Sequence, residues 1–236
     1  MIYLQKDDNE NRPHHFDVSC ALYGAIEMGV KYKLVTFEEV SSGKYDMLIK
    51  NNLFVGSVEF MREVFSRIGI EDVRVPKNSN RESEIISLSE AKEISKSEDI
   101  FIKPIEIKLF TGFVLDKMTH SSISNIDSDT KVLSYKPFES EIVSEWRCYI
   151  KNGEIEDSRN YSGDFKISPN YKYVESIIEE NSKDFPRCYT IDIGILDSGE
   201  NVVIEFNDMW AIGNYGVDNY RYLRMLRERY FEIVKK

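Results

Sequence analysis

Cysteine is scarce: the 236 residues hold three, Cys20, Cys148 and Cys188, odd in number and far apart. That spacing makes neither a zinc motif nor a disulfide framework, so the three read as small core residues of a protein kept in a reducing compartment. No apolar run approaches the roughly 20 residues of a membrane-spanning helix. The opening MIYLQKDDNENRP lacks the basic, apolar and small-residue order of a signal peptide. The expected location is therefore cytoplasmic, with no membrane partner. Positive charge is also short, 31 Lys and Arg against 41 Asp and Glu, a net −10. Bulk electrostatics then argue against a nucleic-acid partner, although a local basic groove stays open. Histidine is rare too, and the pair His14-His15 sits in a polar stretch where an inert role is the expectation. What is present is 42% hydrophobic and 31% charged residues, the composition of a folded globular chain. The length suits one large domain or two small ones.

Organisation follows from periodicity. MIYLQ and KLVTF read as strands, and DVSCALYGAIEM (17–28) carries apolar residues at helical spacing. SVEFMREVFSRI (57–68) puts Val58, Met61, Val64, Phe65 and Ile68 on one helical face, with Ser57 as N-cap. Strands alternating with helices predict a small α/β layer over about the first 75 residues. The polar PKNSNRESE breaks that pattern and places a boundary near residue 80. Beyond it, IFIKPI, KVLSYK, EWRCYIKNGEIEDS and CYTIDIGILDSGENVVIEF predict strands and hairpins of an antiparallel sheet. Ser168-Pro169 opens a helix running to about Ser182, and a last helix covers Asp218 to Val234.

Oxygen-bearing side chains concentrate at the end of VVIEFND. If Ser198-Gly199 makes a two-residue hairpin turn, Ile195 faces Val202 and Asp192 faces Glu205. Two carboxylates directly opposed destabilise a sheet, and Asn207 shares their face. A divalent cation removes that penalty, and such hard oxygen donors suit Mg²⁺ with phosphates completing its shell. A solvated face, or a Lys or Arg between the acids, satisfies the same pattern. Asp208 points the other way.

Lys103 ends an apolar strand before Pro104, followed by Lys108 and Gly112, a placement suited to phosphate and equally to a surface lysine. In SEWRCYIKNGEIEDS the turn at Asn152-Gly153 puts Glu145 and Arg147 on one face and Trp146 and Cys148 on the other. Taken in order, KPIEIKLFTG, SEWRCYI, TIDIG and VIEFND resemble the ATP-grasp superfamily over roughly residues 86 to 215. The set looks most like the compact bacterial and phage clade named for two arginines and a lysine. The resemblance implies an α+β ATP-grasp fold of antiparallel sheets with helices (81–236), preceded by a small α/β domain (1–80).

It also implies roles. Lys103 and Lys108 would contact ATP phosphates, the segment Tyr135, Lys136, Pro137 and Phe138 would recognise adenine, and Glu145 would bind ribose. Asp192, Glu205 and Asn207 would hold one or two Mg²⁺, with Arg147 and Lys108 as catalytic residues. Two departures stand out. The loop after Lys103 has one glycine where many relatives carry a glycine-rich lid. Thr190 stands where many family ligases have an arginine, a role assigned instead to Arg147. Arg159 is a second candidate arginine for substrate, although simple pairing from Asn152-Gly153 puts it on the Trp146 face. Trp210 and Tyr215 are either core or a wall of the acceptor site. The activity implied is ligation of a small-molecule or peptide carboxylate to an amine through an acyl-phosphate, ATP yielding ADP and phosphate. A non-catalytic nucleotide-binding module and a kinase or nucleic-acid end-modifying enzyme are the alternatives.

Overall fold

A computed structural model describes residues 1–71, 73, 83–105, 109–116, 118, 121 and 123–235. In chain order the first elements are β1 (Ile2–Gln5), α1 (Phe16–Glu27), β2 (Tyr32–Val35), α2 (Phe37–Ser41), α3 (Asp46–Ile49), β3 (Leu53–Val55) and α4 (Val58–Ser66). Next come β4 (Ser83–Ser87), α5 (Leu88–Ile94), β5 (Ile100–Pro104), β6 (Phe113–Leu115) and β7 (Lys131–Tyr135). The chain closes with β8 (Ile142–Lys151), β9 (Glu154–Gly163), α6 (Tyr171–Asn181), β10 (Cys188–Leu196), β11 (Asn201–Asp208) and α7 (Asn219–Val234). Contacts gather these into two units, Met1–Asn78 with Ile142–Lys236, and Ser79–Glu141. The boundary expected near residue 80 falls within 74–82, outside the described residues.

In the first unit, β2-β1-β3 form a parallel sheet, which demands crossover helices between its strands. Local chemistry starts those helices. Ser57 accepts a hydrogen bond from the Phe60 N–H at 3.2 Å, capping α4 as expected. Thr36 and Glu39 make a reciprocal capping box on α2. Leu4, Val35, Phe54, Phe60 and Met61 are buried in one core with Tyr222, Leu223, Leu226 and Tyr230 of α7. The start and the end of the chain therefore share an interior.

The antiparallel sheet β11-β10-β8-β9 belongs to the same unit. Asn152 (φ 51°) and Gly153 (φ 81°) make the two-residue turn between β8 and β9, and Lys151 pairs with Glu154 as read from the sequence. One face of this sheet carries Cys148, Ile150, Ile191 and Ile193 under Val174, Ile177 and Ile178 of α6. The start of α6 differs from expectation. Asn170, not Ser168, is the N-cap, accepting from the Lys172 N–H at 3.2 Å. Its own N–H donates to the Asn201 side chain at 2.7 Å, a bond to β11 that local propensity cannot register.

The second unit has its own antiparallel sheet, β4-β7-β5-β6, with α5 packed on it. Leu88, Ala91, Ile100, Ile102, Leu115 and Val132 form its core. Among the described residues no helix is long and apolar enough to cross a membrane.

Candidate functional site

Four charged residues line up across the sheet of the first unit. Glu205 pairs with Asp192, Asp192 with Arg147, and Arg147 with Arg159, so one row runs acid, acid, base, base over four strands. Directly opposed side chains share a face. The Asp192–Glu205 pairing matches the reading from the sequence, but the route to it differs. The turn is not Ser198-Gly199 alone. Leu196 donates to the Glu200 carbonyl at 2.9 Å and Gly199 (φ 86°) donates to the Leu196 carbonyl at 2.8 Å, giving a three-residue loop. Ile195 therefore faces Asn201, one residue off the expected register. A bulge at Ile204, between the Ile193–Val203 and Asp192–Glu205 pairs, then adds one residue and restores it. The two offsets cancel.

A bulge also relocates Arg159. The β8–β9 ladder shifts between Tyr149 and Ile150, and Glu156 is the extra residue. Arg159 consequently lies opposite Arg147 rather than on the Trp146 face. Its guanidinium pairs with Asp157 at 2.9 Å.

Asp192 is 1% exposed and Arg147 6%. Arg147 Nε donates to Asp192 Oδ1 at 2.8 Å and Nη2 to Oδ2 at 2.6 Å, a bidentate pair. The guanidinium expected to face phosphate is thus held by the aspartate expected to bind metal. Burial pushes the Asp192 carboxyl up to about 6 against the pull of Arg147, and Glu205 and Glu145 add to the rise. Asn207 turns its Nδ2 toward both acids, 3.0 Å from Glu205 Oε1 and 3.5 Å from Asp192 Oδ2. An amide nitrogen here sits where two carboxylates attract positive charge. Rotated half a turn, the same amide offers an oxygen, so the three side chains supply hard donors suited to Mg²⁺. Among the described residues no three His, Cys, Asp or Glu side chains are grouped to hold a metal. A cation at this spot depends on the Asn207 amide and on oxygens from a second molecule.

Two tyrosines cover the arginine. The Arg147 guanidinium lies 4.8 Å from the Tyr215 ring and 5.7 Å from the Tyr161 ring, and those rings stack at 5.1 Å and 15°. Tyr161 also donates its hydroxyl to Glu145 Oε2 at 2.8 Å. Tyr215 sits in the left-handed region (φ 49°). Buried Asn214 holds that loop, taking the Gly216 N–H on its side chain, donating to the Val217 carbonyl, and giving its own N–H to Asp17. Tyr149 donates its hydroxyl to the Gly213 and Asn214 carbonyls. Reading the sequence alone does not single out Tyr161, because the bulge that aims it leaves no local signal.

Two residues near the end of β11 make core contacts. Trp210, 9% exposed, packs edge-on against Phe65 at 5.6 Å, the core member of its two expected placements. Asp208 forms a buried bidentate pair with Arg229 of α7 at 2.7 and 2.6 Å. Burial nonetheless raises the Asp208 carboxyl above its ordinary range.

In the second unit Lys103 is exposed on β5, opposite Leu133 of β7. Lys108 lies outside the described residues. Tyr135 ends β7 with its ring 6.2 Å from Phe101, and Lys136, Pro137 and Phe138 follow outside any strand.

This arrangement of sheets is that of an ATP-grasp protein. The fold matches D-alanine–D-alanine ligase from Bacillus anthracis complexed with ATP at a TM-score of 0.60 and 11% identity, covering 99% of this chain and 97% of that one. It matches D-cycloserine synthetase DcsG at 0.55 and 10%, covering 97% and 99%. It matches the ATP-grasp ligase PsnB, complexed with precursor peptide PsnA2 and AMPPNP, at 0.53 and 9%, covering 97% and 96%. No curated protein sequence matches the chain. Residues 80–225, more than half of the chain, match the ATP-grasp domain of the second family in the clade named for two arginines and a lysine, and the protein belongs to that family.

Proposed function

We propose that this protein is an ATP- and Mg²⁺-dependent ligase that joins a carboxylate to an amine through an acyl-phosphate. The observation that carries the reading is the juxtaposition of Asp192, Glu205 and Asn207 with Arg147 on one face of a family sheet. The structural relatives named above include a D-alanine–D-alanine ligase and a ligase complexed with a precursor peptide, which supports a small-molecule or peptide substrate.

In this reading a substrate carboxylate oxygen attacks the γ-phosphorus of ATP and the bond to ADP breaks. The amine then attacks the acyl carbon and phosphate leaves. Asp192, Glu205 and Asn207 would hold Mg²⁺, which would supply neutralising charge to the phosphate oxygens. Arg147 contributes a fixed positive charge beside those oxygens, kept dry by Tyr161 and Tyr215. Lys103 and Lys108 bind phosphates, the backbone of Tyr135–Phe138 takes adenine, and Glu145 takes the ribose hydroxyls. Arg159, through its place in the row, meets the acid substrate. A cytoplasmic location supplies ATP and keeps the three free thiols reduced.

The test is product analysis with panels of acids and amines. ADP and phosphate are expected only when the right acid and amine are both present. AMP and pyrophosphate would replace the reading with adenylation chemistry. Glu205→Ala and Asn207→Ala each remove a metal donor, and several kcal/mol of charge stabilisation corresponds to a drop of at least about 100-fold in kcat.

A further inference from the structure

Tyr161 occupies an irregular place in its strand for a reason that its contacts supply. Trp146 pairs with Asn160 and Glu145 with Ser162, so Tyr161 is the extra residue of a second bulge in β9. Bulges re-aim side chains, and this one is built to last. Asn160 donates its amide to the Glu145 carbonyl at 3.0 Å and to the Ser162 carbonyl at 2.8 Å, bonding backbone oxygens on both sides of the bulge. Thus aimed, the Tyr161 ring lies against Tyr215 and near the Arg147 guanidinium, while its hydroxyl meets Glu145.

The electrostatics make that hydroxyl consequential. Glu145 and Arg147 lie two residues apart on one strand face, close enough to attract each other. Arg147 is already bidentate to Asp192, and among the described residues Tyr161 supplies a side-chain hydrogen bond to Glu145. A phenol donating to a carboxylate orients one oxygen and leaves the other to accept from a ligand hydroxyl.

We propose that Tyr161 is a positioning residue for nucleotide recognition, fixing Glu145 so that its second oxygen receives the vicinal hydroxyls of a ribose. The inference rests on the nucleotide-site reading of Glu145 given above. Tyr161→Phe deletes the hydroxyl and keeps the ring against Tyr215 and Arg147, so the fold is preserved, which an unchanged thermal midpoint checks.

The experiment is calorimetric binding of ATP and of 2′,3′-dideoxy-ATP, each with Mg²⁺ and without acid or amine, to wild type, Tyr161→Phe and Glu145→Ala. One charge-assisted hydrogen bond corresponds to roughly tenfold in affinity. Wild type is expected to prefer ATP over the dideoxy nucleotide. Tyr161→Phe should weaken ATP roughly tenfold, leave the dideoxy nucleotide within about twofold, and so shrink the preference. If Tyr161→Phe weakens both nucleotides alike, or neither, Tyr161 does not position Glu145 and the proposal fails. Glu145→Ala separates the two levels. A preference lost there but kept in Tyr161→Phe leaves Glu145 as the ribose ligand and sinks only the role of Tyr161. A preference kept in Glu145→Ala overturns both.

Discussion

Arg147 illustrates what a single position can and cannot announce. Its charge and its place in EWR suggest a phosphate partner, but the guanidinium is bidentate to Asp192, 45 residues away. A basic residue flanking two opposed acids offsets their repulsion, and the neighbouring strand supplies it on the side of Asp192 away from Glu205. Burial acts on the thiols in a simpler way. Cys20, Cys148 and Cys188 are all buried, and burial pushes them up to about 11, 11 and 12. The thiolate is the reactive form, so raised values mean little reactivity at neutral pH. No thiol is expected to react with a disulfide reagent in native protein at pH 8, and three should react after unfolding. Fast labelling of one thiol in the native state would refute its burial.

At the scale of elements, the β10–β11 hairpin shows why register is hard to read. Counting from the turn yields the right Asp192–Glu205 pair because a three-residue loop and the Ile204 bulge offset one another. Bulges leave no alternation signal, since the extra residue interrupts the period on which counting depends. The same blindness misplaces Arg159 and hides Tyr161. Two glycines at hairpin and strand ends test the local geometry. Gly199 (φ 86°) has open space where a Cβ would sit, so Gly199→Ala should cost only the left-handed backbone strain, about 1 kcal/mol. At Gly163 (φ 73°) a Cβ would run into the Val143 carbonyl oxygen, adding displacement of β8. Gly163→Ala should therefore cost at least about 3 kcal/mol. Equal urea midpoints for the two variants would contradict this placement of β9 against β8.

At the scale of the molecule, the first unit is discontinuous, and its first 78 residues share a core with α7. Tyr230 donates its hydroxyl to the Ile49 carbonyl at 2.8 Å, and Trp210 and Tyr230 both pack on Phe65. A fragment of residues 1–78 lacks that cover and is expected to show no cooperative thermal transition, whereas the full chain should. A sharp melt of the fragment would show an independent core. The sequence by itself determined the helix faces, most strands, the Asn152-Gly153 turn, the family, and which residue types stand on the charged row. These follow from short-range period, cap and turn chemistry, which act within a few residues. Tertiary structure alone decided that Arg147 would hold Asp192, that Arg159 and Tyr161 would join the row's face, and that Trp210 would turn into the core. Each of those outcomes depends on a bulge or on a partner tens of residues away, and neither is written in local periodicity.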